Sequence, residues 1–442
     1  MMLRPLTIGI CLVYLVGFTA CDIKKRAAHS QPEKPNIILI MADDLGAETL
    51  ASYGGESYHT PNINKLSESG MQFENCYSTP LCTPSRVQIM TGKYNFRNYI
   101  GFGLLDAEQR TFAHALKDEG YNTLIAGKWQ LYGNERQQQL AAGRTGTLPG
   151  AAGFDAFSLW QVKDRGWRYK TPTVETSNEG LITLESGYGP DVFVDFIQAF
   201  ITENKEQPFF VYYPMCLVHD PFLPTPESPE FAAYDPPQNI NDTTYFADMM
   251  TYMDQLVGRI ISKVDELGIR EKTLIIFTGD NGTDRKVIST WRGQKIKGEK
   301  GFPTKRGTHV PLIANWQGTI KPGQRNENLI DFTDFFPTIL EVAGKDPTAD
   351  QSLDGFSFFP QLLNQPAKTR EWVFCHYDPR WGNFPKTRYV HNVEWKLYED
   401  GTVVNIVKDP EEKNRLRIED LSTDQQEIIL NFQGVLSNMV NR

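Results

Sequence analysis

The sequence predicts an α/β protein built on a large, mostly parallel sheet. Short apolar runs of strand length alternate with amphipathic stretches of helix length along the 442 residues, the pattern of repeated strand–helix–strand units. Four of those runs lead directly into Asp, Asn, Lys or His residues, and open parallel sheets bind ligands at the carboxyl ends of their strands. From about Thr369 the pattern changes to short strands separated by turns. A smaller α+β subdomain with an antiparallel sheet is therefore expected over 369–442, following a main domain over 36–368.

The elements are read in chain order. Arg4 precedes an apolar run from Leu6 to Phe18, shorter than the ~20 residues of a membrane span. The run ends in Phe18-Thr19-Ala20-Cys21, which resembles the lipobox of bacterial lipoproteins, although Leu is the usual residue where Phe18 stands. Residues 1–20 are read as an export signal and Cys21 as the lipid-bearing mature N-terminus, with a plain secretory signal as the competing reading. Both export the protein, and the first places it at a periplasmic or outer membrane surface by its lipid anchor. Residues 21–35, with Lys24, Lys25, Arg26, Pro32 and Pro35, form a polar tether.

Asn36 to Met41 is a buried-strand run that leads to Asp43-Asp44. Cys82 precedes Thr83, Pro84 and Gly92, which read as N-cap, first-turn residue and stop of a helix. A helix over Phe112–Glu119 stops at Gly120, and the strand from Tyr121 to Ala126 delivers Gly127-Lys128. The Phe-, Tyr- and Val-rich run from Pro208 to Leu217 delivers His219. Tyr245–Leu267 and Leu329–Ala343 read as helices packing on the sheet, and Thr273 to Thr278 as a strand delivering Asp280-Asn281. Glu394–Tyr398 and Val403–Val407 are expected strands of the C-terminal part, and Thr423–Met439 its last helix.

The net charge of −9 argues against nucleic acid as a partner and leaves room for a small anionic substrate in a local cationic pocket. Of six cysteines, Cys11 falls in the signal and Cys21 at its end. With Cys82 reserved for chemistry, Cys76, Cys216 and Cys375 allow one disulfide and no framework. Packing must hold the fold.

Cys82 at a helix start faces unpaired N–H groups and the positive end of the macrodipole, which favour an anion. Arg86, four residues on, can turn toward the same point. On spacing alone, a buried inert cysteine is the simpler reading.

Cys82-Thr-Pro-Ser-Arg86 followed by Met90-Thr-Gly-Lys-Tyr94 is similar to the signature of the type I, formylglycine-dependent sulfatases. Thr60-Pro-Asn-Ile63, Gly127-Lys-Trp129, Gly153-Phe-Asp155, Val218-His219 with Pro221, Phe277-Thr-Gly-Asp-Asn-Gly282 and Pro311 to Gly318 resemble further landmarks of that family, in the same order. The resemblance implies an alkaline phosphatase-like fold and oxidation of Cys82 to Cα-formylglycine by a sulfatase-maturation enzyme. It implies that Asp43, Asp44, Asp280, Asn281 and the modified Cys82 hold a calcium ion. Carboxylates and an amide are hard oxygen ligands that suit Ca²⁺, with Mg²⁺ second, and no His/Cys cluster points to zinc.

The resemblance also assigns roles. A hydroxyl of the hydrated Cys82 aldehyde attacks sulfur, and its second hydroxyl later expels sulfate. Arg86, Lys128 and Lys300 stabilise the growing charge, and His219 protonates the leaving alkoxide. Two positions depart from the family pattern. Gln130 stands where Lys-Trp-His is usual, and Gln cannot take a proton; Lys305-Arg306-Gly307 stands where an acidic residue and two glycines are common.

Between Arg285 and Arg306 the chain carries eight basic residues against Glu299 alone, read as an anion-guiding rim with a solvated loop as the alternative. Arg165, Trp167 and Arg168, Arg380-Trp381, and Arg292, Lys305, Arg306, His309 and Gln130 are the candidate substrate contacts. Aromatic rings among cations suit a sulfated saccharide better than a simple aryl sulfate. The rival readings are a phosphatase or phosphodiesterase of the same superfamily and a catalytically weak glycan-binding homologue. Two-zinc sites need several well-placed histidines, and His59, His114, His309, His376 and His391 match no such pattern.

Overall fold

Every residue of the first strand, Asn36–Ala42, is buried, as expected where an uninterrupted apolar run is covered on both faces of a sheet. The computed structural model describes residues 34–163, 166–235 and 242–440. The expected signal, Cys21, nearly all of the tether and Arg165 lie outside them.

The strands are β1 (Asn36–Ala42), β2 (Met71–Tyr77), β3 (Asn122–Lys128), β4 (Ala156–Trp160), β5 (Thr173–Thr176) and β6 (Gly180–Thr183). They continue with β7 (Phe209–Pro214), β8 (Thr273–Gly279), β9 (Ile288–Trp291), β10 (Gln294–Lys297), β11 (His309–Asn315) and β12 (Gln324–Asp331). The last are β13 (Val373–Tyr377), β14 (Thr387–His391), β15 (Trp395–Tyr398) and β16 (Val403–Asn405). Ten of them form one sheet in the order β12-β2-β11-β8-β1-β7-β3-β4-β5-β6. At its centre β8, β1, β7, β3 and β4 all run parallel, so their carboxyl ends emerge on one edge. β11 is antiparallel to both its neighbours, which makes the sheet mixed. Large apolar clusters cover its two faces, one carrying the helices Gly189–Asn204 and Phe246–Glu266, the other the helices Cys82–Thr91, Phe112–Asp118 and Phe335–Val342. Met249, Met250 and Met253 are core residues of the first face, as flexible gap-fillers should be.

β13 to β16 form a separate four-stranded antiparallel sheet, packed on the helix Thr423–Val440 through Phe374, Val390, Trp395, Ile429 and Phe432. The buried Arg370 grips Asp334 with two N–H···O bonds of 2.6 Å, a fork geometry with high directional specificity. It links the strand-rich C-terminal part to the turn before Phe335.

Three expectations change. Leu329–Ala343 is not one helix: Leu329 to Asp331 finish β12, paired with Asn75 to Tyr77 of β2, and the α-helix runs over Phe335–Val342. An apolar run carries no periodicity that separates a buried strand from a buried helix. The strand expected to reach Leu217 ends at Pro214, leaving Met215 to Val218 as a connector. Thr83 is not the N-cap: the helix begins at Cys82 with Leu81 before it, and the Thr83 hydroxyl accepts from the Gly103 N–H. Cys76, Cys82, Cys216 and Cys375 are all free and buried, so none of the described cysteines is cross-linked.

Burial gives the fold a pH dependence. It pushes the imidazole of His391 down to about 3, with Lys396 adding to the effect, and that of His309 to about 3, with Lys305 adding. Both rings are neutral in the folded chain, so between pH ~6.5 and ~3 the unfolded chain binds more protons. Their stabilising effect is complete above pH ~6.5 and is lost as pH falls toward the folded value, by on the order of a few kcal/mol in all. Urea midpoints are expected to fall from pH 7 to pH 4, and the fall should be shallower in His391→Gln.

Candidate active site

Strand ends bring the predicted residues together. Asp43 and Asp44 follow β1, Lys128 ends β3, and Asp280-Asn281 follow β8. The connector after β7 is tied to the same point: the Asp43 N–H donates to the Leu217 carbonyl at 2.9 Å, and the Val218 N–H to the Asp43 carbonyl at 2.8 Å. These bonds place His219 beside the aspartates. Gly127 is required before Lys128, since its φ is 115° and a Cβ there would run into the Pro214 carbonyl.

Cys82 opens its helix at the foot of this group and is 2% exposed. Its Sγ and one oxygen each of Asp43 and Asp280 lie within 4.8 Å of one another, as do ligand atoms of Asp43, Asp44 and His219. Burial raises the Cys82 thiol above its usual range, so an unmodified thiol would stay protonated and a weak nucleophile.

The cations pair with the carboxylates. The Lys128 ammonium, 1% exposed, donates to Asp43 Oδ2 at 2.7 Å. The Lys300 ammonium donates to Asp44 Oδ2 at 2.5 Å and lies 3.0 Å from His219 Nε2. Burial alone would raise the Asp43 carboxyl, yet Lys128, His219 and Lys300 hold it well below the carboxylate range. Burial and the adjacent Asp43 carboxylate push Asp280 well above it. Lys300 stays charged despite burial because Asp44 faces it.

The oxygens fit a divalent cation. Asp43 Oδ1 and Asn281 Oδ1 are buried without a hydrogen-bond partner, while Asn281 Nδ2 donates to Asp44 Oδ1 at 2.9 Å. Buried oxygens are rarely left unpaired. A cluster of such oxygens with three carboxylates is the donor set of a hard ion. Among the described residues, the groups able to hold an ion all contain Asp43; no second, histidine-rich centre accompanies it.

Arg86 is buried beside the Lys128 end of β3. Its guanidinium donates to the backbone carbonyls of Lys128 and Trp129, the latter at 2.6 Å, and its Nε is buried without a partner. It clamps the end of β3 and so positions Lys128.

A cavity of about 740 Å³ opens above Cys82. Gln130, Trp167, Arg168, His219, Lys300 and Trp381 line it, with Tyr169 beside Arg168, as do Phe102, Asn134, Gln137, Trp160 and Phe384, which sequence reasoning missed. Gln130 holds a left-handed backbone, φ 45°, with its N–H on the Gln161 carbonyl. Arg168 lies over the Trp160 ring and reaches His219 Nδ1 at 3.0 Å. Asp220 Oδ1 is 2.9 Å from the same nitrogen; its place next to His219 was the available signal. Trp381 stacks on Phe102 with centroids 4.7 Å apart, delivered by the β13–β14 connection. Arg380 points elsewhere, to the Ile100 carbonyl. Arg292, Lys305, Arg306 and His309 are not part of this cavity and line another. The β9–β10 hairpin and the turn over Lys305–Thr308 carry them there, so nearness in sequence to Asp280-Asn281 did not become nearness in space.

The sulfatase family model matches residues 35–345. The chain belongs to the sulfatase family. A second model, the N-sulphoglucosamine sulphohydrolase C-terminal region, matches residues 298–438 of this sulfatase. Human arylsulfatase A is 31% identical over 384 residues, covering 77% of this chain and 70% of the relative. Human N-acetylgalactosamine-6-sulfatase is 28% identical over 371 residues, covering 76% and 67%. A solved structure holding its substrate, D-glucosamine-2-N,6-O-disulfate, superposes with a TM-score of 0.72 at 20% identity over 92% of this chain and 97% of that one. The fold is thus alkaline phosphatase-like, and the chain is a sulfuric ester hydrolase.

Proposed function

We propose that this sulfatase removes sulfate from a sulfated carbohydrate, using a Cα-formylglycine made from Cys82 and a divalent cation, calcium before magnesium. The observation that carries this reading is the meeting of Cys82 Sγ with Asp43 and Asp280 oxygens within 4.8 Å, at the foot of a cavity walled by aromatic and cationic side chains. Asp43, Asp44, Asp280 and Asn281 would hold the ion, which when bound supplies positive charge to the sulfate oxygens. The modified Cys82 supplies a hydroxyl nucleophile.

The protein's own residues do the rest. Lys128 and Lys300 set fixed positive charge beside the sulfate position, where water is largely excluded. His219 turns Nε2 toward Lys300 and the cavity while the Asp220 carboxylate accepts from Nδ1–H, so Nε2 is the nitrogen placed to carry the proton given to the departing oxygen. Trp167, Trp381 and Phe102 offer flat apolar faces for sugar rings, and Arg168 offers a cation for a further anionic group. The names of one relative that acts on an amino-sugar sulfate and one neighbour that holds one support a carbohydrate substrate, beside relatives named arylsulfatase. Export through the 1–20 signal and a lipid on Cys21 would place the enzyme where such glycans arrive.

Mass spectrometry of the Cys82 peptide from protein made with a sulfatase-maturation enzyme is expected to show the aldehyde. A panel of sulfated saccharides assayed beside 4-nitrophenyl sulfate is expected to show preferred turnover of a saccharide; activity confined to the aryl ester would overturn the carbohydrate assignment. His219→Asn should reduce turnover of a sugar alcohol's sulfate by about 10²–10³-fold. It should reduce that of 4-nitrophenyl sulfate far less, because nitrophenolate leaves without a proton.

A further inference from the structure

The cavity that received Arg292, Lys305, Arg306 and His309 measures about 360 Å³, and two of its cations, Arg292 and Lys305, lack an anionic side-chain partner among the described residues. The Arg292 guanidinium lies 4.6 Å over the Trp291 ring. Among the described residues, no side-chain hydrogen bond or ion pair engages either Arg292 or the ammonium of the half-buried Lys305. Burial and the nearby Arg292 push the Lys305 ammonium down, the response of a cation lacking a counter-charge. Arg306 reaches Glu411 at 3.2 Å, a carboxylate it shares with Lys413.

The acids of the same cavity are occupied. Glu48 accepts from the Thr283 hydroxyl at 2.5 Å, and burial raises its carboxyl. Glu74 accepts from Arg325 at 2.7 Å and from Gln72 at 2.9 Å. The imidazole of His309, neutral by burial, is turned to the Glu74 carbonyl at 2.8 Å. Stacking on Trp291 holds the Arg292 guanidinium by its face and leaves its N–H edge free, the arrangement that binds oxyanions in two-point fashion. Ile406, Val407 and Pro410 complete an apolar wall, with Val407 61% exposed.

We propose that this cavity is a second anion site, which takes a sulfate group of a polysulfated saccharide away from the reacting centre. Arg292 and Lys305 contact the sulfate, and the Ile406–Pro410 wall contacts the sugar. Only the ligand class rests on the carbohydrate reading above.

The test titrates the full-length wild-type protein calorimetrically with sucrose octasulfate, with sucrose and with inorganic sulfate. Each titration is repeated on the Arg292→Asn/Lys305→Gln double variant. The octasulfate affinity is expected to fall by about tenfold or more in the variant, with sucrose silent and inorganic sulfate much weaker than the octasulfate. Turnover of 4-nitrophenyl sulfate should stay within about twofold, since neither residue lines the Cys82 cavity. Unchanged octasulfate affinity in the variant overturns the proposal, and so does equal binding of inorganic sulfate, which would make the site one for free anion. Asn tolerates the left-handed backbone of exposed Arg292, φ 47°, so the single Arg292→Asn variant decides the question if the double variant does not fold. Saccharide desulfation is measured separately: its absence with octasulfate binding intact would count against the proposed substrate and not against this site.

Discussion

Replacement of Cys82 by alanine is expected to lower sulfatase turnover by at least ~10⁴-fold while leaving the fold in place. The side chain is small and buried, so removing its sulfur costs about 1 kcal/mol of packing, and the helix behind it is held by other contacts. Ser85 bonds to the Thr79 hydroxyl at 2.7 Å, and Thr91 donates to the Val87 carbonyl at 2.7 Å. The thiol itself is raised by burial, so protein made without the maturation enzyme should be almost as inactive as the variant and melt at the same temperature as the mature enzyme. Circular dichroism melts and turnover on one sulfate ester, compared across the three samples, check this. Full activity in a sample whose Cys82 is entirely unmodified would sink the formylglycine reading.

Chelation is expected to abolish activity and to lower the melting temperature, and Asp280→Asn to separate the two effects. Asp43, Asp44 and Asp280 crowd into a buried space in which Lys128 and Lys300 are the facing lysines. Without an ion, burial and the adjacent Asp43 carboxylate push Asp280 well up, so an amide there relieves the chelated protein. Its melting temperature should equal or exceed that of the chelated parent. Activity should still fall by about 10³-fold, because the ion loses one carboxylate charge and one of that side chain's two oxygens. Calcium at about 100 times its Kd should return about 2.7 kcal/mol to the parent and clearly less to the variant. Differential scanning calorimetry with and without chelator reads the result; a parent whose melting temperature and turnover both ignore chelation would exclude the ion.

Much of the centre was legible because chain-local rules and sheet geometry agree. Asp43-Asp44, Lys128 and Asp280-Asn281 sit at or directly after strands that the apolar runs predicted, and parallel neighbours send those ends to one edge. His219 was legible in kind but not in route, since its strand stops at Pro214 and backbone bonds to Asp43 complete the approach. The partners of Arg86 were not legible from helical spacing. Four residues from Cys82, it turns onto the carbonyls of Lys128 and Trp129 because the end of β3 lies there.

From residue order alone come the α/β class and the family, together with the cysteine and the oxygen ligands proposed for the centre, since each is carried by short runs whose chemistry survives without a partner. Tertiary packing decided the cavity wall and the fate of the basic stretch. Trp160 and Phe384 join the cavity wall from far along the chain, and no local pattern distinguishes such aromatics from core filler. Arg292, Lys305 and Arg306, close in sequence to Asp280, turn away into a cavity of their own, because a hairpin and one tight turn set the direction of side chains more strongly than distance along the chain.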